Sequence, residues 1–249
     1  MAQIRTGGDN SELAGYEGSI LTGGHNSELA GGDDSTIAGG DNSKITGGEY
    51  SIITSGDRSK LTGGHFSKIT SGDDSEIAGG HFSVIAGGED STIAGGDRSK
   101  LTGGDDSKIT SGEYSKVVAG HNSELAGGRF SAITGGNSSK IVGGVGSKLV
   151  GGNSSKITSG EYSHLVAGFN SEITGGNGSV LMGETGSIAK GGLDSVILLV
   201  ERDNDDKITG FAAVQVDGKK IKANTFYKLK KGKLEKGKLK KGKFIEVIN

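Results

Sequence analysis

The chain has 249 residues and a formal net charge of −2 at pH 7, with 49 Gly and no Pro, Cys or Trp. Gly at about one residue in five, against a usual ~7%, points to disorder or to collagen. Zero Pro and the lack of a Gly-X-Y triplet exclude collagen, zero Cys excludes disulfides and thiol chemistry, and no apolar run reaches the roughly 18 residues of a membrane-spanning helix.

At the amino terminus, Met1 to Gly8 shows no apolar stretch of the kind a Sec signal carries, so none is expected. From there the chain is an octapeptide. Ser recurs every eight residues from Ser11 to Ser195, 24 times without a gap, and two residues after each Ser stands Leu, Ile or Val, Ala189 excepted. Three residues before each Ser is a Gly, with Tyr16 and Glu184 the departures. The unit reads Gly-Gly-x-x-Ser-x-Ile/Leu-Thr/Ala, here numbered positions 1 to 8. Ser and the aliphatic residue at i and i+2 share one face of an extended segment. The Gly-Gly-x-x stretch is expected to make the turn, since positive φ and close backbone approach are cheap for Gly. A helix would scatter the Ser and aliphatic columns over different faces, and each Gly would cost it about 1 kcal/mol.

One such strand cannot bury its apolar row, but copies of it stacked from successive coils can. The spacing therefore predicts an all-β fold, a β-solenoid over residues 1–198. The inward Ser column would be satisfied by hydroxyl-to-hydroxyl or hydroxyl-to-backbone hydrogen bonds. Alternation between octads sets the coil at sixteen residues with two strands, about 12 coils in all. Tyr50, Phe66, Phe82, Tyr114, Phe130 and Tyr162, each directly before a Ser, all fall in the same alternate octad. After Ser, one octad class carries Glu and Lys (Glu12, Glu28, Lys44, Lys60, Glu76), whereas the other carries Ile20, Ile52 and Val84 among its residues.

Two broad faces follow. One is charged, with stacked pairs such as Glu28 and Lys44 that would help set coil register. The other is expected to hold the six aromatics with Ile20, Ile52, Val84 and Val180. Two readings of it stand side by side: the rings stack on one another and stabilise an edge, or they form a lateral self-association surface.

After Leu181 the repeat frays, and residues 199–249 read as a small β-rich cap with a Lys-rich tail. Phe211 to Ile221, centred on Asp217-Gly218, is expected to form a β-hairpin. Twelve of the 25 residues from Lys219 to Lys243 are Lys, with Lys228, Lys230, Lys231, Lys233, Lys236, Lys238, Lys240, Lys241 and Lys243 making a candidate basic tail. Residues 1–198 carry net −9 and residues 199–249 net +7, a split suited to electrostatic association of copies. An adhesin or polyanion binder acting through this tail is a further option, although no nucleic-acid-binding motif accompanies it.

The Gly-x-x-Ser-x-Leu/Ile-Thr-Ala/Gly octads pairing into sixteens resemble the bacterial ice-nucleation protein repeat over residues 7–198. The string Gly-Asp-Arg-Ser-Lys-Leu-Thr at Gly56–Thr62 and Gly96–Thr102 is similar to that family's C-terminal-type coils, and Asp194 to Tyr227 resembles its C-terminal cap. The resemblance implies a β-solenoid that assembles into fibres and, at the cell surface, orders water into ice nuclei. The positions one and three after Ser read Lys44/Thr46, Ile52/Thr54 or Glu76/Ala78 rather than the family's water-organising Thr-x-Thr.

Catalysis needs unlike groups converging on one place, whereas a repeat spreads like groups along a line. His25, His65, His81 and His121 fill the slot usually held by Asp or Glu and read as polar turn residues, not metal ligands. The expectation is a non-enzymatic structural protein without metal or cofactor, forming a homo-oligomer or filament. Ice or ordered water is the alternative partner, and nucleic acid is disfavoured.

Overall fold

The computed structural model describes residues 3–230 and 243–246. All its regular structure is β, wound as stacked coils of about 16 residues, a β-solenoid of about 12 turns. It comprises two compact units, Met1–Gly128 and Arg129–Asn249. In the first unit, strands such as Ile20–Thr22, Thr36–Ala38 and Ile52–Thr54 pair in parallel as one sheet, here sheet I. The intervening strands, such as Glu28–Ala30 and Lys44–Thr46, form sheet II. Every register is sixteen residues, as in Leu21↔Ile37 and Leu29↔Ile45. The second unit repeats this with Leu149↔Leu165 in one sheet and Ile157↔Ile173 in the other.

Three-residue strands cannot stand alone. What holds them is the coil-to-coil pairing of their backbone and the columns of Leu, Ile and Val they send inward. Leu21, Ile37, Ile53, Leu61, Ile85 and Ile109 are fully buried, and each removes an aliphatic side chain from water for about 1.5–3 kcal/mol. Ser occupies the remaining inward position and is buried from Ser19 to Ser195.

The hydroxyls resolve in favour of backbone partners. At many levels the Ser Oγ accepts the backbone N–H of the Ser one coil earlier, as Ser99 does from Ser83 at 3.3 Å and Ser59 from Ser43 at 3.2 Å. It also donates to the position 2 Gly carbonyl of that coil, as Ser99 does to Gly80 at 3.2 Å. Ser19 Oγ is buried without a partner.

The turns correct one expectation. Positive φ falls not on the Gly pair but on position 4, directly before Ser, and all 24 octads show it. The Gly residues serve close packing instead. A Cβ on Gly64, at position 2, would sit 2.7 Å from Glu49 N and 2.8 Å from Gly48 C of the coil below. At position 1, a Cβ on Gly63 meets only the side chains of Ser67 and Ile69. That difference explains the sequence, because position 1 accepts Ser55, Ser71, Ser111, Ala119, Ser159 and Ala167 while position 2 departs from Gly only at Tyr16 and Glu184.

The carboxyl end also differs from expectation. Strand Val196–Arg202, which crosses the boundary expected at 198/199, is the last parallel strand of its sheet and turns at Asp203 to Lys207 to pair antiparallel with Ile208–Gln215. The hairpin is therefore centred on Asp203–Lys207, not on Asp217-Gly218. The apolar run Val196 to Val200 needs a covering strand, and Ile208–Gln215 supplies one, whereas Lys219 to Lys222 has no apolar row to offer. Asp217-Gly218 forms a tight turn in which Asp217 Oδ1 accepts the N–H groups of Lys219 and Ile221 at 2.9 and 3.0 Å. The other sheet ends on Tyr227–Lys230, antiparallel to Ile188–Lys190 and to Lys243–Glu246.

Candidate functional site: an aromatic column on one turn

Each coil has two turns, one on either edge of the two-sheet sandwich. Turn I leads into the sheet I strands and turn II into those of sheet II. Both are ladders. The position 3 side chain accepts the backbone N–H of position 3 one coil on: Asp33 from Glu49 at 2.8 Å, Asp57 from Asp73 at 3.0 Å, Asn153 from Phe169 at 2.9 Å. The histidines do the same through Nδ1, His25 from Asp41 at 3.0 Å and His81 from Asp97 at 2.8 Å. Their sequence reading as turn residues thus gains a specific task. Among the described residues, no group of three His, Asp or Glu is placed to hold a metal ion.

Position 4 separates the two edges chemically. On turn II it is mostly Asn or Asp (Asn26, Asn42, Asp74, Asp90, Asp106, Asn122), residues that tolerate left-handed backbone. On turn I it is Tyr50, Phe66, Phe82, Arg98, Tyr114, Phe130 and Tyr162, with φ between 55° and 59°, and otherwise Gly18, Asp34, Gly146, Gly178 and Asp194; turn II has one bulky cation here, Arg58. A bulky residue in this region is a genuine outlier, costing on the order of 1 kcal/mol.

The rings form a column. Tyr50 stacks on Phe66 and Phe66 on Phe82, each pair with centroids 4.9 Å apart and planes within 6°. Arg98 continues the column, its guanidinium carbon 5.4 Å from the Phe82 centroid and 5.6 Å from that of Tyr114. Beside it His65 stacks on His81 at 4.9 Å. The six rings remain between 42% and 65% exposed. Within Tyr50, Phe66 and Phe82 stacking covers ring faces, so what points to solvent there is ring edge.

The expected assembly face is thus divided by the structure. In the first unit Ile20, Ile52 and Val84 stand exposed on the outer surface of sheet I, as Val180 does on the corresponding sheet of the second, while in each unit the aromatics occupy the turn before such strands, two residues ahead of the outward strand position. The contrast between turn I and turn II at position 4 distinguishes the two edges most plainly, and the Asn and Asp of alternate octads were the signal for it.

On sheet II the Glu and Lys column pairs along the stack, Lys44 with Glu28 at 3.4 Å, Lys60 with Glu76 at 2.7 Å and Lys156 with Glu172 at 2.9 Å. Ala78 and Ala94 leave a shallow groove beside Lys60 and Glu76. Of the candidate basic tail, Lys228 lies in the strand facing Ile188, and Lys230 and Lys243 pair at the end of the last two strands. Lys231, Lys233, Lys236, Lys238, Lys240 and Lys241 lie outside the described residues. Comparison of the chain with family models, with curated proteins and with solved structures finds no match.

Proposed function

We propose that this protein is a non-enzymatic structural β-solenoid that associates with copies of itself into fibres or sheets. The observation that carries the reading is the turn I column. Bulky rings are held half-exposed at a backbone position where the opposite edge uses Asn and Asp, a local strain that packing against the chain's own core does not call for. Beside them, Ile20, Ile52 and Val84 extend the exposed apolar surface along sheet I. Electron microscopy with light scattering of the purified chain tests it: fibres, ribbons or a defined oligomer are expected, and separate short particles of monomer mass defeat the reading.

A second reading, an ice- or water-ordering protein, is favoured by the stacked outward Thr at position 8, such as Thr46 over Thr62 and Thr54 over Thr70. Hydroxyls and methyls then repeat at the strand spacing of about 4.8 Å, which also fits the resemblance to ice-nucleation repeats. Droplet freezing of the purified protein against buffer decides: an unchanged freezing temperature removes nucleation, and unfaceted ice crystals remove ice binding.

A further inference from the structure

Over three consecutive coil levels of the first unit the two edges differ in chemistry, with Glu49 and Glu113 flanking the turn I stretch and Arg58 beside the turn II one. On turn II, Asp73-Asp74, Glu89-Asp90 and Asp105-Asp106 set six carboxylates on three consecutive coils. The position 3 members each have an oxygen engaged by a coil-to-coil N–H, as Asp73 has from Glu89 and Asp105 from His121. Asp74, Asp90 and Asp106 are exposed and make no ion pair among the described residues.

On turn I the same three levels read His65-Phe66, His81-Phe82 and Asp97-Arg98, one carboxylate in all. The strands that follow place Lys68, Val84 and Lys100 outward on sheet I. Neither Lys68 nor Lys100 makes an ion pair among the described residues. No carboxylate stands on the outer surface of sheet I in this unit.

Because the rings of Tyr50, Phe66 and Phe82 cover each other's faces, they present their edges to solvent, and the edge is the positive pole of the ring quadrupole. Ring edges, the Arg98 guanidinium and two unpaired ammonium groups therefore make one surface suited to carboxylates, and the chain displays its carboxylates on the opposite edge with the same coil repeat. Identical spacing on the two edges lets every level engage at once, so weak contacts of one level add along the stack.

We propose that turn I of one copy, with Phe66, Phe82, Arg98, Lys68 and Lys100, docks against the Asp74, Asp90 and Asp106 edge of a second copy. The inference rests on the self-association reading and specifies its geometry. The contact joins unlike edges, so it is heterologous. One copy keeps its turn II edge free and the other its turn I edge, so growth continues side by side instead of stopping at a two-fold dimer.

Two variants use Asn, which turn II already employs at position 4 in Asn26, Asn42 and Asn122, so the left-handed turn is retained: D74N/D90N/D106N and F66N/F82N/R98N. Circular dichroism establishes that each keeps the parent's β signal. For the parent, raising salt from about 0.01 M to about 1 M shortens the screening length from roughly 30 Å to about 3 Å and is expected to raise the concentration needed for assembly by about tenfold or more. Each variant alone is expected to stay at monomer mass. Mixed in equal amounts, one supplies the ring column and the other the carboxylate edge, and the mixture is expected to give species of twice the monomer mass that grow no further. A parent that stays monomeric at every salt concentration removes self-association itself. A parent that assembles regardless of salt, with D74N/D90N/D106N assembling equally well, leaves self-association standing and overturns this docking mode.

Discussion

The Ser ladder makes a sharp test because one residue type occupies chemically different places along the stack. Ser99 is fully buried, accepts the Ser83 N–H at 3.3 Å and donates to the Gly80 carbonyl at 3.2 Å. In Ser99→Ala the Gly80 carbonyl keeps the Gly96 N–H as a donor at 3.2 Å, so one group is orphaned, the Ser83 N–H. A buried unsatisfied donor costs about 1–3 kcal/mol, and the long donor-acceptor distances place the expected loss in the lower half, about 1–2 kcal/mol. Ser11 is half-buried and only donates, to Gly8 at 2.6 Å, so Ser11→Ala should cost less than about 0.5 kcal/mol, the surface range. A solenoid opens locally as well as globally, and the assay is native-state hydrogen exchange read at the amides of the coils around each site. Equal losses at Ser11 and Ser99, or no loss at Ser99, would refute the idea that these hydroxyls exist to satisfy turn backbone.

Three further outcomes follow from the turns. Gly64→Ala drives a Cβ into backbone atoms of the coil below and should cost about 2–3 kcal/mol or prevent folding. Gly63→Ala, whose neighbours are side-chain atoms of Ser67 and Ile69 at a position that holds Ala119 and Ala167 elsewhere, should cost about 1 kcal/mol or less, and denaturant unfolding of the pair gives the comparison. Phe66→Asn loses two ring stacks of about 0.5–1.5 kcal/mol each and regains about 1 kcal/mol of left-handed strain, so its thermal midpoint should fall. Tyr162→Asn, at a coil whose neighbours at position 4 are Gly146 and Gly178, has no ring stack to lose and its midpoint should hold or rise. The Ile221 and Lys219 N–H groups hold the Asp217 carboxyl below its ordinary value of 3.8. That turn should therefore be intact above pH 4 and loosen as pH falls through the lower folded value, seen as faster exchange of the Lys219 and Ile221 amides after correction for intrinsic rate; Asp217→Ala should abolish the pH dependence.

The coil was legible because its evidence is redundant. Ser and Ile at i and i+2 fix the inward face, and the aromatics of alternate octads fix two strands per turn of sixteen residues. The left-handed position was hidden because Gly-Gly is the stronger local signal for positive φ, while its actual use, close passage of coils, depends on a neighbour sixteen residues away. Asn at position 4 of Asn10, Asn26, Asn42, Asn122 and Asn170 is the signal that identifies it. Asp217-Gly218 misled for a related reason. The dipeptide favours a turn, and it does form one, but which strands pair is decided by the exposed apolar edge of Val196 to Val200, a tertiary demand that no dipeptide expresses.

Strain and stacking together decide how the aromatic column is to be understood. A ring inside the column has two stacked neighbours, whose combined worth of about 1–3 kcal/mol exceeds the left-handed penalty of about 1 kcal/mol, and edge stabilisation suffices to explain Phe66. Tyr162 has no such neighbour. Its ring leans over Gly178, where an added Cβ would come within 2.7 Å of it, and it is the most exposed of the six at 65%. No ring stack offsets the strain at that coil, so the ring there gains less for the isolated chain than the ring of Phe66 does. The unequal responses of Phe66→Asn and Tyr162→Asn therefore separate the two accounts. A Tyr162→Asn chain that is no less stable but associates more weakly locates the use of that ring outside its own molecule.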